Sequence, residues 1–90
     1  MLMESELTIN ENGNKEWTLP NGKLHREDGP AIEYCDGSKE WWVNGNIHRE
    51  DGPALEWSGG GKNWFLNNIQ YTEKDYKYEM RSIKLTKLLK

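Results

Sequence analysis

GKLHREDGPAIEY at residues 22–34 returns as GNIHREDGPALEW at residues 45–57, and the shared run HREDGPA decides how the chain is read. The run packs an imidazole, a guanidinium and two carboxylates into four residues, the kit of many active sites. Set down twice in register, it is also what the punctuation of a structural repeat looks like. Extending each copy gives two full units, GKLHREDGPAIEYCDGSKEWWVN at 22–44 and GNIHREDGPALEWSGGGKNWFLN at 45–67. A degenerate half-unit, TINENGNKEWTLPN at 8–21, aligns with AIEYCDGSKEWWVN. A truncated one, NIQYT at 68–72, aligns with GNIHR.

Each unit holds two short runs of strand-forming residues, PAIEY or PALEW and KEWWV or KNWFL. Turn signals bound both: CDGS or SGGG on one side, VNGN or LNNI on the other. Asn44-Gly45 and Asp36-Gly37 are tight-turn dipeptides. The expected fold is mainly β: a single-layer antiparallel β-meander of repeated hairpins with one C-terminal α-helix. The expected division is a tail at 1–7, a repeat domain at 8–71 and a helix at 72–90.

Strand alternation sorts the side chains. Trp17, Trp41 and Trp64 form one column, followed on the same face by Leu19, Val43 and Leu66. Ile9, Ile32 and Leu55 are expected to share a face with Glu11, Tyr34 and Trp57. The face opposite the Trp column receives Trp42 and Phe65 among polar residues.

The segment YTEKDYKYEMRSIKLTKLLK has Thr72 with Asp75 three residues on, a capping-box pattern, and its cations gather toward the C-terminal end. At about 100° per residue, Tyr76, Met80 and Ile83 form one stripe, with Tyr78, Leu85 and Leu89 roughly opposite. The first stripe is expected to lie on the sheet. The second is left for another chain, so a homodimer is expected.

Ninety residues make one domain near the low end of what folds alone. Mean hydropathy is −1.01, but five Trp, four Tyr and one Phe supply large flat side chains to bury. No apolar run approaches the ~20 residues of a membrane span. MLMESELTIN lacks a basic and then apolar stretch, so no secretion signal is expected, and Cys35 has no internal partner. A cytoplasmic protein is the expectation. Residues 1–71 hold 12 acidic and 6 basic side chains, a balance of −6, whereas 72–90 hold 3 and 6, a balance of +3. No basic stripe marks a general nucleic-acid binder.

DGSKEWWVNGNIHREDGPALEW, 36–57, resembles a MORN repeat, a hairpin unit of similar length reading roughly D-G-x-x-Y-x-G-x-W-x-x-G-x-x-x-G-x-G. The H-R-E-D-G-P-A variant resembles a divergent class in small proteins of phages, large DNA viruses and bacteria. NIQYTEKDY, 68–76, is similar to the way such arrays end. The resemblance covers about residues 8–76. It implies a twisted single-layer β-meander used for protein–protein contact and dimerisation. The chain lacks most of the Y-x-G glycines and has E-W-W or N-W-F instead, which speaks against a lipid-headgroup role.

His with Asp or Glu can do acid–base work or bind a metal. HREDGP nevertheless reads as structural, because it occurs twice in register and no third His completes a metal set. Two His one unit apart would lie about 10 Å from each other, too far for one ion. In the structural reading Gly supplies φ > 0, Pro fixes the strand start, Asp28 and Asp51 accept backbone N–H groups, and Arg26 and Arg49 pair with a carboxylate of the adjacent repeat. SGGGK at 58–62 lacks the spacing and Ser/Thr of a phosphate loop and reads as a turn. Cys35 has no basic neighbour to activate it.

No catalytic residue, cofactor or metal is expected. The expected function is protein binding without chemistry, through Trp42, Phe65, Tyr78, Leu85 and Leu89. The resemblance implies a small phage or mobile-element protein that binds and blocks a bacterial protein, as a defence-system antagonist or antitoxin does. A nucleic-acid-directed protein or acidic mimic is the alternative, although Asn63 breaks the row of Glu16 and Glu40. A scaffold or dimerisation module is the second alternative.

Overall fold

The structure is a computed structural model that describes residues 4–88. Seven strands form one antiparallel sheet in the order β1 (Glu6–Ile9), β2 (Lys15–Thr18), β3 (Ile32–Glu33), β4 (Lys39–Glu40), β7 (Leu55–Glu56), β8 (Lys62–Leu66) and β9 (Ile69–Tyr71). A short hairpin, β5 (Trp42–Val43) with β6 (Asn46–Ile47), continues β4. Helix α1 spans Glu73–Leu88. No strand crosses over another, so the meander expected from the repeats is the fold. The molecule measures 44 × 37 × 17 Å. Its thin dimension holds one sheet and a single layer beside it.

Two kinds of turn build each unit. At one end Gly13, Gly37 and Gly60 have φ of +84°, +94° and +102°, closing hairpins in which Tyr34 N–H donates to Ser38 O and Trp57 N–H to Gly61 O. At the other end Asn44 and Gly45 both have positive φ, 54° and 82°, as do Asn67 and Asn68, 48° and 72°. Paired left-handed residues make the two-residue turn whose twist suits a hairpin. That turn forces the residues after it to pair, so β6 and β9 are strands where the sequence reading placed only a turn.

The first half-unit corrects the sequence alignment. Ile9 pairs with Lys15 while Ile32 pairs with Glu16, the next residue along β2. Ile9 and Ile32 therefore point to opposite faces, and Thr8, opposite Glu16, fills the place of Ile32. The first unit is offset by one residue, which flips the assignment of its whole strand. Ile9 is left 61% exposed. The expected tail at 1–7 also gives way at Glu6, where β1 begins.

The register sorts the charges. Across one face runs the ladder Lys15–Glu33–Lys39–Glu56–Lys62, alternating in sign at every strand. Directly opposed unlike charges favour this pairing over its slipped alternatives. This inner face also carries Trp17, Trp41 and Trp64. On the outer face the corresponding ladder is Glu16–Ile32–Glu40–Leu55–Asn63.

Helix α1 packs on the inner face. Tyr76 and Met80 are buried with Leu66, and Trp64, Tyr71 and Ile83 pack around them. The Tyr76–Met80–Ile83 stripe faces the sheet as its spacing requires. Thr72 caps the helix, its Oγ1 accepting from Asp75 N–H at 3.1 Å. The arginine position of this last unit is Thr72, and Trp64 packs against Tyr76 and Met80 of the helix; among the described residues the stacked guanidiniums are those on Trp17 and Trp41. No helix of the described residues is long and apolar enough to cross a membrane.

Candidate interaction surface

The HREDGP loops come first, because they hold the side chains with chemical potential. Arg49 lies over the Trp41 ring, 3.7 Å from its centroid, and Arg26 lies over Trp17 at 3.8 Å. Arg49 Nε donates to Asp51 at 2.8 Å, and its Nη1 donates to the Pro53 carbonyl at 2.9 Å and to Glu56 at 3.0 Å. Arg26 repeats the set with Asp28, Pro30 and Glu33, each at 3.1 Å. The carboxylates come from the arginine's own unit, not the adjacent one; what the arginine grips in the preceding unit is an aromatic ring. The aspartates accept from the guanidinium rather than from backbone N–H groups.

Neither Gly29 nor Gly52 has positive φ. A Cβ there would sit 3.1 or 3.0 Å from the arginine Cζ, so these glycines let the guanidinium lie against the loop backbone.

The histidines are turn acceptors. His48 Nδ1 accepts from Asn67 N–H at 3.0 Å, and His25 Nδ1 from Asn44 N–H at 2.8 Å. Each secures a left-handed asparagine. With Nδ1 accepting, the proton of the neutral ring is on Nε2. His48 Nε2 meets Glu50 at 3.0 Å, and Lys87 from α1 meets the other oxygen of that carboxylate at 2.6 Å. These contacts, Lys87 first, hold the Glu50 carboxyl below the usual carboxylate range. Tyr76 donates its hydroxyl to the Arg49 carbonyl at 2.5 Å and accepts from Gly52 N–H at 3.3 Å. Most members of the motif thus have a structural partner in the loop, the turn or the helix; Glu27, 63% exposed, stands 3.7 Å from His25 Nε2, and that buried nitrogen has no hydrogen-bond partner among the described residues. Among the described residues no group of three or more His, Cys, Asp or Glu could hold a metal ion.

A cleft of about 820 Å³ opens between the two loops and α1, walled by Trp41, His48, Met80 and Lys84. Its guanidinium groups donate through Nε and Nη1 to carboxylates and carbonyls of their own units.

The outer face is different. Trp42 and Phe65 stand there, half-buried, and are not stranded among polar residues. Register places Ile32 and Leu55 beside them, with Ile47 opposite Trp42. Leu24, bridged to Thr18, joins the same face. Tyr34 and Trp57 continue it toward the turns. The polar tips are satisfied within the patch. Glu40 accepts from Tyr34 Oη at 2.7 Å and from Trp42 Nε1 at 2.8 Å. Asn63 accepts from Trp57 Nε1 at 2.8 Å. Burial, and then the adjoining Glu40 carboxylate, pushes the Tyr34 hydroxyl up to about 12, so it stays a donor at any physiological pH.

Tyr78 and Leu85 are 68% and 57% exposed on the solvent side of α1. Leu89 lies outside the described residues. The five residues singled out in the sequence therefore do not form one surface: Trp42 and Phe65 are on the sheet face opposite the helix. The sequence reading missed Leu24, Ile47, Ile32 and Leu55 as their neighbours. Their alternation was visible, but the cross-strand register that unites them was not.

Compared with protein-family models, curated proteins and solved structures, the chain matches none.

Proposed function

We propose that the protein is a non-enzymatic binding module whose outer sheet face docks another protein. The observation that carries this reading is an aromatic and aliphatic face, centred on the half-buried Trp42 and Phe65 and running out to the exposed Trp57, on the side of the sheet away from α1. Such faces supply rigid, low-entropy anchors. Because Trp42, Tyr34 and Trp57 already have hydrogen-bond partners inside the patch, a docking surface need not satisfy them. The arginines and aspartates of HREDGP and the Nδ1 atoms of its histidines are engaged in holding loops, turns and neighbouring units, which supports a role without chemistry. The resemblance of the repeat to those of small phage and bacterial proteins supports the narrower reading of a cytoplasmic antagonist that binds and blocks a host protein.

Tagged full-length protein and the variant Trp42→Ser/Phe65→Ser, each used to capture partners from host extract, test the proposal. The reading requires a stoichiometric protein partner that the variant loses while its circular dichroism stays native. Retention of that partner by a folded variant would refute it.

A second association surface is supported by the solvent side of α1, where Tyr78 and Leu85 stand exposed. Two copies meeting there through a two-fold axis would bury a self-complementary patch, giving a homodimer.

A further inference from the structure

The strand residues of the outer face carry one sign of charge. Their carboxylates are Glu6, opposite Thr18, then Glu16 and Glu40. Every lysine of the described strands, Lys15, Lys39 and Lys62, is in the inner ladder. Arg26 and Arg49 are also on the inner face, stacked on the Trp column. The aromatic patch is therefore bordered by carboxylates with no cation among the described strand residues to offset them. The Tyr34 hydroxyl feels this field, raised by the Glu40 and Glu16 charges after burial itself.

We infer that the surface docked on the outer face is basic and apolar together: a protein segment presenting leucine-like side chains flanked by lysine or arginine. This rests on the reading of that face as the docking surface. The apolar part of the segment covers Trp42, Phe65 and Leu55, and its cations meet Glu16 and Glu6. A second copy of this chain is a poor occupant, since two such faces would oppose like charges. A phosphate backbone is repelled for the same reason.

The probe is a short amphipathic helical peptide of leucine and lysine, with a counterpart in which glutamate replaces each lysine. Titration calorimetry uses the full chain. The lysine peptide is expected to bind and the glutamate peptide not to. Glu6→Lys/Glu16→Lys should weaken the lysine peptide about tenfold, whereas Glu27→Lys/Glu73→Lys, with the same change in net charge but in an HREDGP loop and on α1, should leave it within about twofold. Thermal melts check that each variant folds, and Glu6→Gln/Glu16→Gln gives a milder form of the first pair. No binding of the lysine peptide overturns the inference. So does equal binding of both peptides, or equal weakening by both pairs of variants. Trp42→Ser/Phe65→Ser separates the two readings. If it abolishes peptide binding while the Glu6/Glu16 variants do not, the docking face stands and the basic partner falls. If peptide binding survives it undiminished, the docking face itself is wrong.

Discussion

Replacing Arg49 with Ala tests what joins one repeat to the next. The guanidinium is 19% exposed and lies 3.7 Å over Trp41. A partly desolvated cation–π contact of this kind contributes about 1–2 kcal/mol. The bond from Nη1 to the Pro53 carbonyl, charged donor to neutral acceptor, adds about 1.5 kcal/mol. Asp51 is 85% exposed, so its ion pair contributes little. Glu56, 35% exposed, would lose its cation and keep a half-buried charge, an added cost of about 1 kcal/mol. Arg49→Ala should therefore destabilise the fold by about 3.5–4.5 kcal/mol, a large share of what a domain this small possesses. Arg49→Lys keeps the charge but loses the planar stack and the fork, and should cost about half as much. Gly52→Ala should reproduce part of the loss without touching the arginine, because its Cβ would press within 3.0 Å of Cζ. Urea unfolding followed by Trp fluorescence measures all three. Arg26→Ala, with the same partners one unit earlier, is the internal replicate. If Arg49→Ala unfolds within about 0.5 kcal/mol of the parent, inside the range of an ordinary surface change, the reasoning fails.

Four further outcomes are expected. Tyr76→Phe deletes a hydroxyl shared by Arg49 O and Gly52 N–H and should cost about 1–2 kcal/mol in the same assay. His48→Ala, which strands Asn67 N–H, should cost a similar amount, and elemental analysis of the parent protein should show neither zinc nor iron at stoichiometric level. Acid should weaken the helix–loop contact. Glu50 has a lowered folded pKa, owing first to Lys87 and then to His48. Its contribution is complete above the ordinary carboxylate pKa and is lost as pH falls through the lowered folded value, so the acid limb of stability should flatten in Lys87→Ala. Tyr78→Glu/Leu85→Glu should convert a dimer to a monomer in light scattering while circular dichroism stays native, since both side chains are exposed on the helix. A monomeric parent protein would end the dimer proposal.

Much of this architecture was legible in the amino-acid order. The 23-residue recurrence, the Asn-Gly and Asp-Gly turns, the capping threonine and the Tyr76–Met80–Ile83 stripe depend on residues close in the chain. Local backbone preference and helical periodicity report such features directly. They specified a hairpin meander followed by a helix laid on one face. They also pointed to a structural part for the duplicated HREDGP, though not to its partners. Only the folded arrangement shows that its glycine makes room for a guanidinium rather than adopting positive φ.

Tertiary structure alone decided the register, and with it the surface. Strand side chains alternate with a period of two, so a slip of one residue exchanges faces. Nothing local to residues 8–21 says that Thr8 rather than Ile9 belongs with Ile32. Placing Ile32 and Leu55 beside Trp42 and Phe65, and every strand lysine on the opposite side, required knowing which residues face each other across strands. That is settled by the whole sheet at once: the Lys–Glu ladder, the arginines reaching back onto Trp17 and Trp41, and the helix occupying the inner face. Each is an interaction between residues distant in sequence, with no signature in any short window of it.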